Sequence, residues 1–196
     1  MSLIELVRKR RSIRRFRQTK IPREKLCDFV DGARLAPSAS NRQPLRFLVI
    51  DDPARLQQVF EHTAWAGYLD DGAPPADARP VAYVFILIDA EINPNAEWDV
   101  GIGAQTITLL ALEQGVGSCL LGALQREALH KTLALPANLA ISLAVALGYP
   151  AEEPVAEPWD SERDDFKAPR YFRDASGKLH VPKRALDDVL YFNHLL

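Results

Sequence analysis

The spacing of apolar and polar positions changes repeatedly along this chain, and each change marks an element. Leu3, Ile4, Leu6 and Val7 form an apolar face behind Ser2 and Glu5, a capping-box pair, which predicts a first helix from about Leu3 to Arg10. Leu26, Phe29, Val30 and Ala33 recur at helical spacing between Pro22, suited to a first turn, and Pro37, which forbids continuation. Leu45 to Ile50 reads as a strand, and Asp52 with Pro53 opens a helix through about Phe60. A Gly/Pro/Asp-rich stretch from Gly67 to Pro80, with the character of a mobile flap, precedes the strongly apolar strand Val81 to Asp89.

The most apolar helix runs from about Ala96 to Gln114, with Val100, Ile107, Leu110 and Ala111 as core candidates and Gly115 as its stop. Val116 to Leu121 reads as a short strand, Gln125 to Ala134 as a helix and Leu139 to Leu147 as a continuous apolar strand. Pro150, Pro154, Pro158 and Pro169 interrupt the acidic segment 150–182, which is expected either to be disordered or to lie extended over a neighbour. Leu186, Val189 and Leu190 then return to helical spacing, predicting a last helix over Pro182 to Leu196 with Lys183 and Arg184 at its start. No internal repeat or low-complexity tract interrupts this order.

The length of 196 residues suits one domain, or one domain with an arm, burying about 70% of its unfolded surface. The longest apolar runs fall far short of the roughly 20 residues that cross a bilayer, so no membrane span is expected. Apolar and charged groups alternate at the start, unlike a secretory signal, and the Arg-rich beginning reads better as part of a folded site than as a transit peptide. Cys27, in a predicted helix, and Cys119, in a predicted strand, have no pairing spacing and read as reduced, buried thiols of a cytoplasmic protein. The four histidines are scattered without metal-ligand spacing, so no metal site is expected.

Charge changes this ordinary picture. Seven of the ten residues from Arg8 to Arg17 are basic, and residues 1–20 sum to +7 (eight Lys or Arg, one Glu), which leaves −9 for the remainder of a chain whose net charge is −2. Guanidiniums about 6 Å apart repel by roughly 2–3 kcal/mol per pair at an effective dielectric near 20. A bound dianion relieves that repulsion, contributing roughly 1.5–3 kcal/mol per charge-assisted contact, and Ser12 adds a neutral donor. The same charges also suit a solvated helix C-terminus. Lys183 and Arg184 repeat the theme far along the chain, at a predicted helix N-terminus where cations oppose the dipole unless an anion intervenes.

Five motifs in order give the chain a likeness. They are R-R-S-x-R at Arg10 to Arg14, P-S-x-x-N-x-Q-P at Pro37 to Pro44, Asp99 with Gly101 and Gln105, G-V-G-S-C-L-L-G at Gly115 to Gly122, and H-V-P-K-R at His180 to Arg184. Over residues 5–193 the chain resembles the FMN-dependent nitroreductase family. The resemblance implies an α+β fold, a mainly antiparallel central sheet flanked by helices. It also implies a single FMN-binding domain over 1–196, an intertwined homodimer, and residues 150–196 as a C-terminal arm over the partner subunit. FMN phosphate would sit between Arg10, Arg11, Ser12 and Arg14 on one side and Lys183 and Arg184 on the other. Pro37, Ser38, Ala39, Ser40, Asn41 and Gln43 would reach the flavin ring from the partner, and Leu121 and Gly122 would lie along its other side.

The implied chemistry is ping-pong hydride transfer through flavin N5, from NADH or NADPH to an electron-poor small molecule such as a nitroaromatic or quinone. The flavin carries the reaction, so no catalytic side chain is assigned. Trp65 and Tyr68 in the flap and Trp98 before the central helix would stack on an aromatic acceptor or simply pack. The Gly101 and Gly103 pair lacks the third glycine and preceding strand of a dinucleotide fingerprint, Thr standing at 106. Three alternatives remain: a flavin store or redox sensor without turnover; a relative on the same fold that dehalogenates reductively or fragments flavin; and a nucleic-acid module, disfavoured by the acidic remainder and the missing base-reading motif.

Overall fold

A computed structural model of the chain describes residues 1–160 and 168–195. Its centre is strand β3 (Ala82–Asp89), every residue of which is buried. Antiparallel β2 (Leu45–Ile50) pairs along one edge of it, Leu45 opposite Ile88 and Ile50 opposite Tyr83. The twelve-residue β5 (Leu139–Pro150) pairs along the other, with a register shift between Ile86 and Leu87. β5 also carries β4 (Gly117–Leu121) and, at its C-terminal end, the two-residue β1 (Phe16–Arg17), both antiparallel.

Alternation along β3 divides the core into two layers. Ala82, Val84, Ile86 and Ile88 face α2 (Arg23–Leu35) and α4 (Glu97–Glu113), meeting Leu26, Phe29, Val100, Ala104 and Ile107. Tyr83, Phe85 and Leu87 face the opposite layer, where Val59 of α3 (Pro53–Phe60) and Leu129 of α5 (Arg126–Thr132) are fully buried. A sheet covered on both faces needs continuous apolar runs, which is how β3 and β5 read. The Asp52 carboxylate caps α3 by accepting the Arg55 N–H at 3.0 Å. On α4 the buried side includes Gly103 and Ala104, while Trp98, Ile102 and Gln105 remain exposed. The expected α+β architecture with an antiparallel sheet flanked by helices is therefore present.

The N-terminal segment is positioned by two missing side chains. Helix α1 (Leu3–Lys9) begins with Ser2 donating its N–H to the Glu5 carboxylate at 2.7 Å and ends one residue before Arg10. The chain then crosses β4 and β5 at Gly117 and Gly148, which pair with each other. A Cβ on Gly117 would stand 2.8 Å from Ile13, and one on Gly148 2.7 Å from Phe16. Close approach buries Ile13 and Phe16 and leaves the arginines between and around them at the surface of the sheet.

The C-terminal part departs from the sequence expectations. Segment 150–182 is neither wholly irregular nor free: β6 (Val155–Pro158) pairs parallel with β8 (Leu179–Lys183), which pairs antiparallel with β7 (Phe172–Arg173). Within the expected arm, residues 161–167 and Leu196 lie outside the described residues. Among the described residues no α-helix follows Pro182; Lys183 ends a strand, and a 3₁₀ turn, Leu186–Asp188, forms beyond it. A helix gains most of its stability by burying a face, and Leu186, Val189 and Leu190 are exposed in the single chain. Cys27 is also exposed, its side of α2 facing outward, whereas Cys119 is buried as expected.

His180 clamps the small sheet. Its Nδ1 lies 2.7 Å from the Glu157 carboxylate on β6 and its Nε2 3.2 Å from Asp174 after β7, while its ring stacks on Phe172. These acceptors, Glu157 first, raise the His180 pKa above its ordinary 6.5. Asp174 is held well below the usual carboxylate range, chiefly by the Ser176 hydroxyl and the Lys178 N–H.

Two outcomes follow from these contacts. Gly148→Val should lower stability by about 1–3 kcal/mol through overpacking against Phe16, measured by denaturant unfolding. Because the folded His180 pKa is raised, its stabilisation is complete below 6.5 and is lost as pH climbs through the folded value. The Tm advantage of wild type over His180→Ala, full below 6.5, should therefore narrow as pH rises above 6.5.

Candidate functional site

Arg10 leaves α1 in an extended conformation, and Ile13 donates its N–H to the Ser118 carbonyl at 2.9 Å, laying the Arg10 to Arg14 stretch along β4. Arg10, Arg11, Ser12 and Arg14 are each half-buried. Beside them opens a cavity of about 760 Å³ whose walls include Arg10, Arg11, Arg17, Ser118 and Glu152.

Like charges meet here. The Arg11 guanidinium is pulled below its ordinary pKa by burial and then by Arg10, and its buried Nε has no hydrogen-bond partner. Lys183, from β8, is lowered by lost hydration and then by Arg11 and Arg10. Cations from the two ends of the chain thus come near one another within one subunit, Arg11 and Arg10 disfavouring the charge on Lys183. An anion with several acceptor oxygens would reverse both shifts and satisfy the orphaned Nε; a phosphate fits this donor set. Arg184, one residue on, lays its guanidinium over the Trp159 ring at 4.3 Å, and Arg14 does the same over Tyr171 at 4.5 Å.

The loop at Pro37 to Pro44 is a separate, strained unit. Ser40, Asn41 and Gln43 hold left-handed φ values of 52°, 53° and 51°, a conformation that costs side-chain-bearing residues roughly 1–2 kcal/mol each. Ser38 Oγ accepts the Gln43 N–H at 2.9 Å, and the Gln43 amide donates to Asn41 Oδ1 at 3.0 Å. Asp99, buried in the first turn of α4, accepts the Ala39 N–H at 3.1 Å, while its other oxygen is buried without a partner. Pro37, Ala39, Ser40, Asn41 and Gln43 are exposed, and Ser38 half-buried. Among the described residues no hydrogen bond or ion pair joins this loop to the basic cluster. Leu121 is buried at the end of β4, and Gly122 beyond it is exposed, its carbonyl accepting from Arg126 at 3.1 Å.

Sequence reasoning missed Glu152, Arg173, Tyr171 and Trp159, all from the Pro-interrupted segment and all in contact with the basic residues or with each other. No sequence signal separates Glu152 from the acids around it, Glu153, Glu157 and Asp160. Trp65 is a packing residue: buried, stacked near Phe60 and donating to the Thr63 hydroxyl at 2.9 Å. Tyr68 is exposed and packs on Tyr171 at 5.1 Å. Burial pushes the Cys119 thiol up to about 11, with Arg14 pulling weakly the other way, so it stays protonated near neutral pH and is a poor nucleophile. Among the described residues no cluster of His, Cys, Asp or Glu is arranged to hold a metal, and no helix is long and apolar enough to cross a membrane.

An antiparallel sheet between helical layers, with a cationic turn at its edge, defines an α+β protein. The nitroreductase family profile matches residues 7–149, and the chain belongs to this family of FMN-dependent NAD(P)H oxidoreductases. An NADH dehydrogenase of Thermus thermophilus is 28% identical over 181 residues, 74% of this chain and 85% of its own. An FMN-dependent nitroreductase structure from Clostridium difficile R20291 is 26% identical, with TM-score 0.66 over 84% of this chain and 99% of that one. A nitroreductase family protein from Clostridium difficile 630 shares the fold over the full length of both chains at 22% identity, TM-score 0.71.

If Lys183 is held against like charge, removing it should help the empty protein and harm the loaded one. Lys183→Met is expected to raise Tm in phosphate-free buffer and to shrink the further rise produced by inorganic phosphate, both read by thermal melting.

Proposed function

We propose that this chain is an FMN-dependent NAD(P)H oxidoreductase acting as a homodimer on an electron-poor small molecule, of the nitroaromatic or quinone class. The convergence of Arg10, Arg11 and Lys183 carries the reading. Two basic segments separated by some 170 positions acquire a single purpose if they share one phosphate. When bound, FMN supplies reversible hydride chemistry at N5, taking reducing equivalents from NADH or NADPH and passing them to the acceptor in a ping-pong cycle.

The chain's own residues bind and orient. Arg10, Arg11, Ser12, Arg14, Lys183 and Arg184 form the phosphate end of the site, and Leu121 with Gly122 flanks the ring. Ser38, Ala39, Ser40, Asn41 and Gln43, with Pro37, serve the ring of the other subunit. The locked, left-handed geometry of the loop supports that role, because backbone strain persists where function repays it. Dimerisation through the outer side of α4 is supported by the exposed Trp98 and Ile102 and by the neighbouring apolar face of α1, Leu3, Ile4 and Val7. Residues 184–195, with Leu186, Val189, Tyr191 and Phe192 exposed, form the part of the arm suited to cover the partner. The Cys119 thiol, buried and protonated, does not compete with the cofactor as a nucleophile.

Purified protein is expected to be yellow, and NADH or NADPH should bleach it under anaerobic conditions, with nitroaromatics or quinones restoring the colour. Colourless protein that takes up no added FMN would overturn the proposal. A yellow protein that neither nucleotide bleaches would instead identify a flavin store or sensor.

A further inference from the structure

A carboxylate stands where an anion site should exclude one. Glu152, two residues beyond β5, borders the basic cavity with its side chain 8% exposed. One of its oxygens accepts the backbone N–H of Arg14 at 2.6 Å and that of Arg15 at 3.2 Å. The other accepts from the Arg173 guanidinium at 2.8 Å. Arg173, 11% exposed, is fixed in turn: it donates to the Gly177 carbonyl at 2.9 Å and lies 3.7 Å from Asp71, which also pairs with Arg15. Between Arg15 and Ala151 a further backbone bond of 2.9 Å continues the β1–β5 pairing up to Glu152.

We propose that Glu152 and Arg173 form a charge-neutral latch that positions the Arg10 to Arg17 turn for a phosphate, an inference that rests on the reading of that turn as the phosphate end of the site. Glu152 supplies what the turn lacks, a strong acceptor for the two adjacent peptide N–H groups that immediately precede the two-residue β1. A lone carboxylate there would repel the incoming dianion. Arg173 cancels it, and because Arg173 belongs to β7, the C-terminal sheet that delivers Lys183 is tied to the N-terminal turn at the same point. Neither residue needs to touch the ligand; both are positioning residues, and their effect on the ligand is electrostatic as well as geometric.

That distinction gives the test. Inorganic phosphate binding, read as the rise in Tm, and FMN binding, read by quenching of flavin fluorescence, are compared in wild type, Glu152→Gln, Arg173→Gln, the double variant and Arg173→Lys. Arg173→Gln should lose at least tenfold in affinity for phosphate and for FMN but little for riboflavin, which has no phosphate. Glu152→Gln keeps an amide oxygen for the two N–H groups and should bind phosphate at least as well as wild type. Adding Glu152→Gln to Arg173→Gln should restore affinity to within about threefold of wild type, and Arg173→Lys, which keeps the charge, should stay within the same range. A double variant as weak as Arg173→Gln would overturn the latch and reduce the pair to a fold contact. Protein that binds phosphate with this ranking but takes up no FMN would sink the flavin reading and leave the latch. FMN binding without the ranking would do the reverse, and wild type that binds neither would sink both. Amide exchange across residues 10–17 in each unliganded variant shows whether the turn itself is intact.

Discussion

Like charge held together against its own repulsion is the constraint on which this structure turns. Burial and then Arg10 lower the proton affinity of Arg11, and burial, then Arg11 and Arg10, lower that of Lys183; like charges about 6 Å apart repel by roughly 2–3 kcal/mol in a medium of effective dielectric 20. Folding alone does not recover that cost. It is tolerable because the segments bearing the charges are anchored by other means: Ile13 and Phe16 pressed onto paired glycines, Glu152 fastening the turn, and β8 held by its neighbours and by His180. The charge distribution along the chain, +7 in the first twenty residues against −9 in the rest, is the one-dimensional trace of this arrangement.

Strand β5 transmits the order from core to site. Its middle is buried between two helical layers, where each fully buried Val, Leu or Phe contributes on the order of 1.5–3 kcal/mol, and its end at Tyr149 and Pro150 carries β1. The strand therefore offers the basic turn a rigid edge whose register cannot slip without exposing Val145, Leu147 and the opposite face together. Two residues further on it delivers Glu152. Core stability and ligand geometry are thus written on one continuous segment.

What the sequence made legible followed from burial. β2, β3, β4 and the helices α1 to α5 of the described residues were readable because apolar period and capping chemistry act locally, and their observed bounds differ from the expected ones by only a few residues. The basic turn was readable from charge density. Segments whose order comes from distant partners were not: β1 and β7 are two residues each and exist only because β5 and β8 pair with them, and no propensity marks so short a strand. The helix expected after Pro182 had the right spacing but, in the single chain, nothing to bury its face against. Glu152 stands among Glu153, Glu157 and Asp160 in an acidic stretch, and only the fold singles it out. The loop motif at Pro37 was visible as residues, while its three left-handed positions and its tie to Asp99 were not.

That loop poses the converse of the problem set by the basic turn. The left-handed Ser40 and Gln43 store roughly 2–4 kcal/mol of backbone strain, Asn41 tolerating that region more easily, and the hydrogen bonds from the Gln43 N–H to Ser38 and from the Ala39 N–H to Asp99 fix the shape. Within one chain the Asn41 side chain only accepts from the neighbouring Gln43 amide, a contact inside the loop. The repulsion at Arg11 and Lys183 awaits an anion, and the strain at Ser40 to Gln43 awaits something to grip. Under the proposed function, a cofactor with a phosphate at one end and a polar ring edge at the other would answer both, with the two regions contributed by different subunits. On that reading the unused polar groups of a single chain are two halves of one site, each stabilised against the other only when the assembly and its ligand are complete.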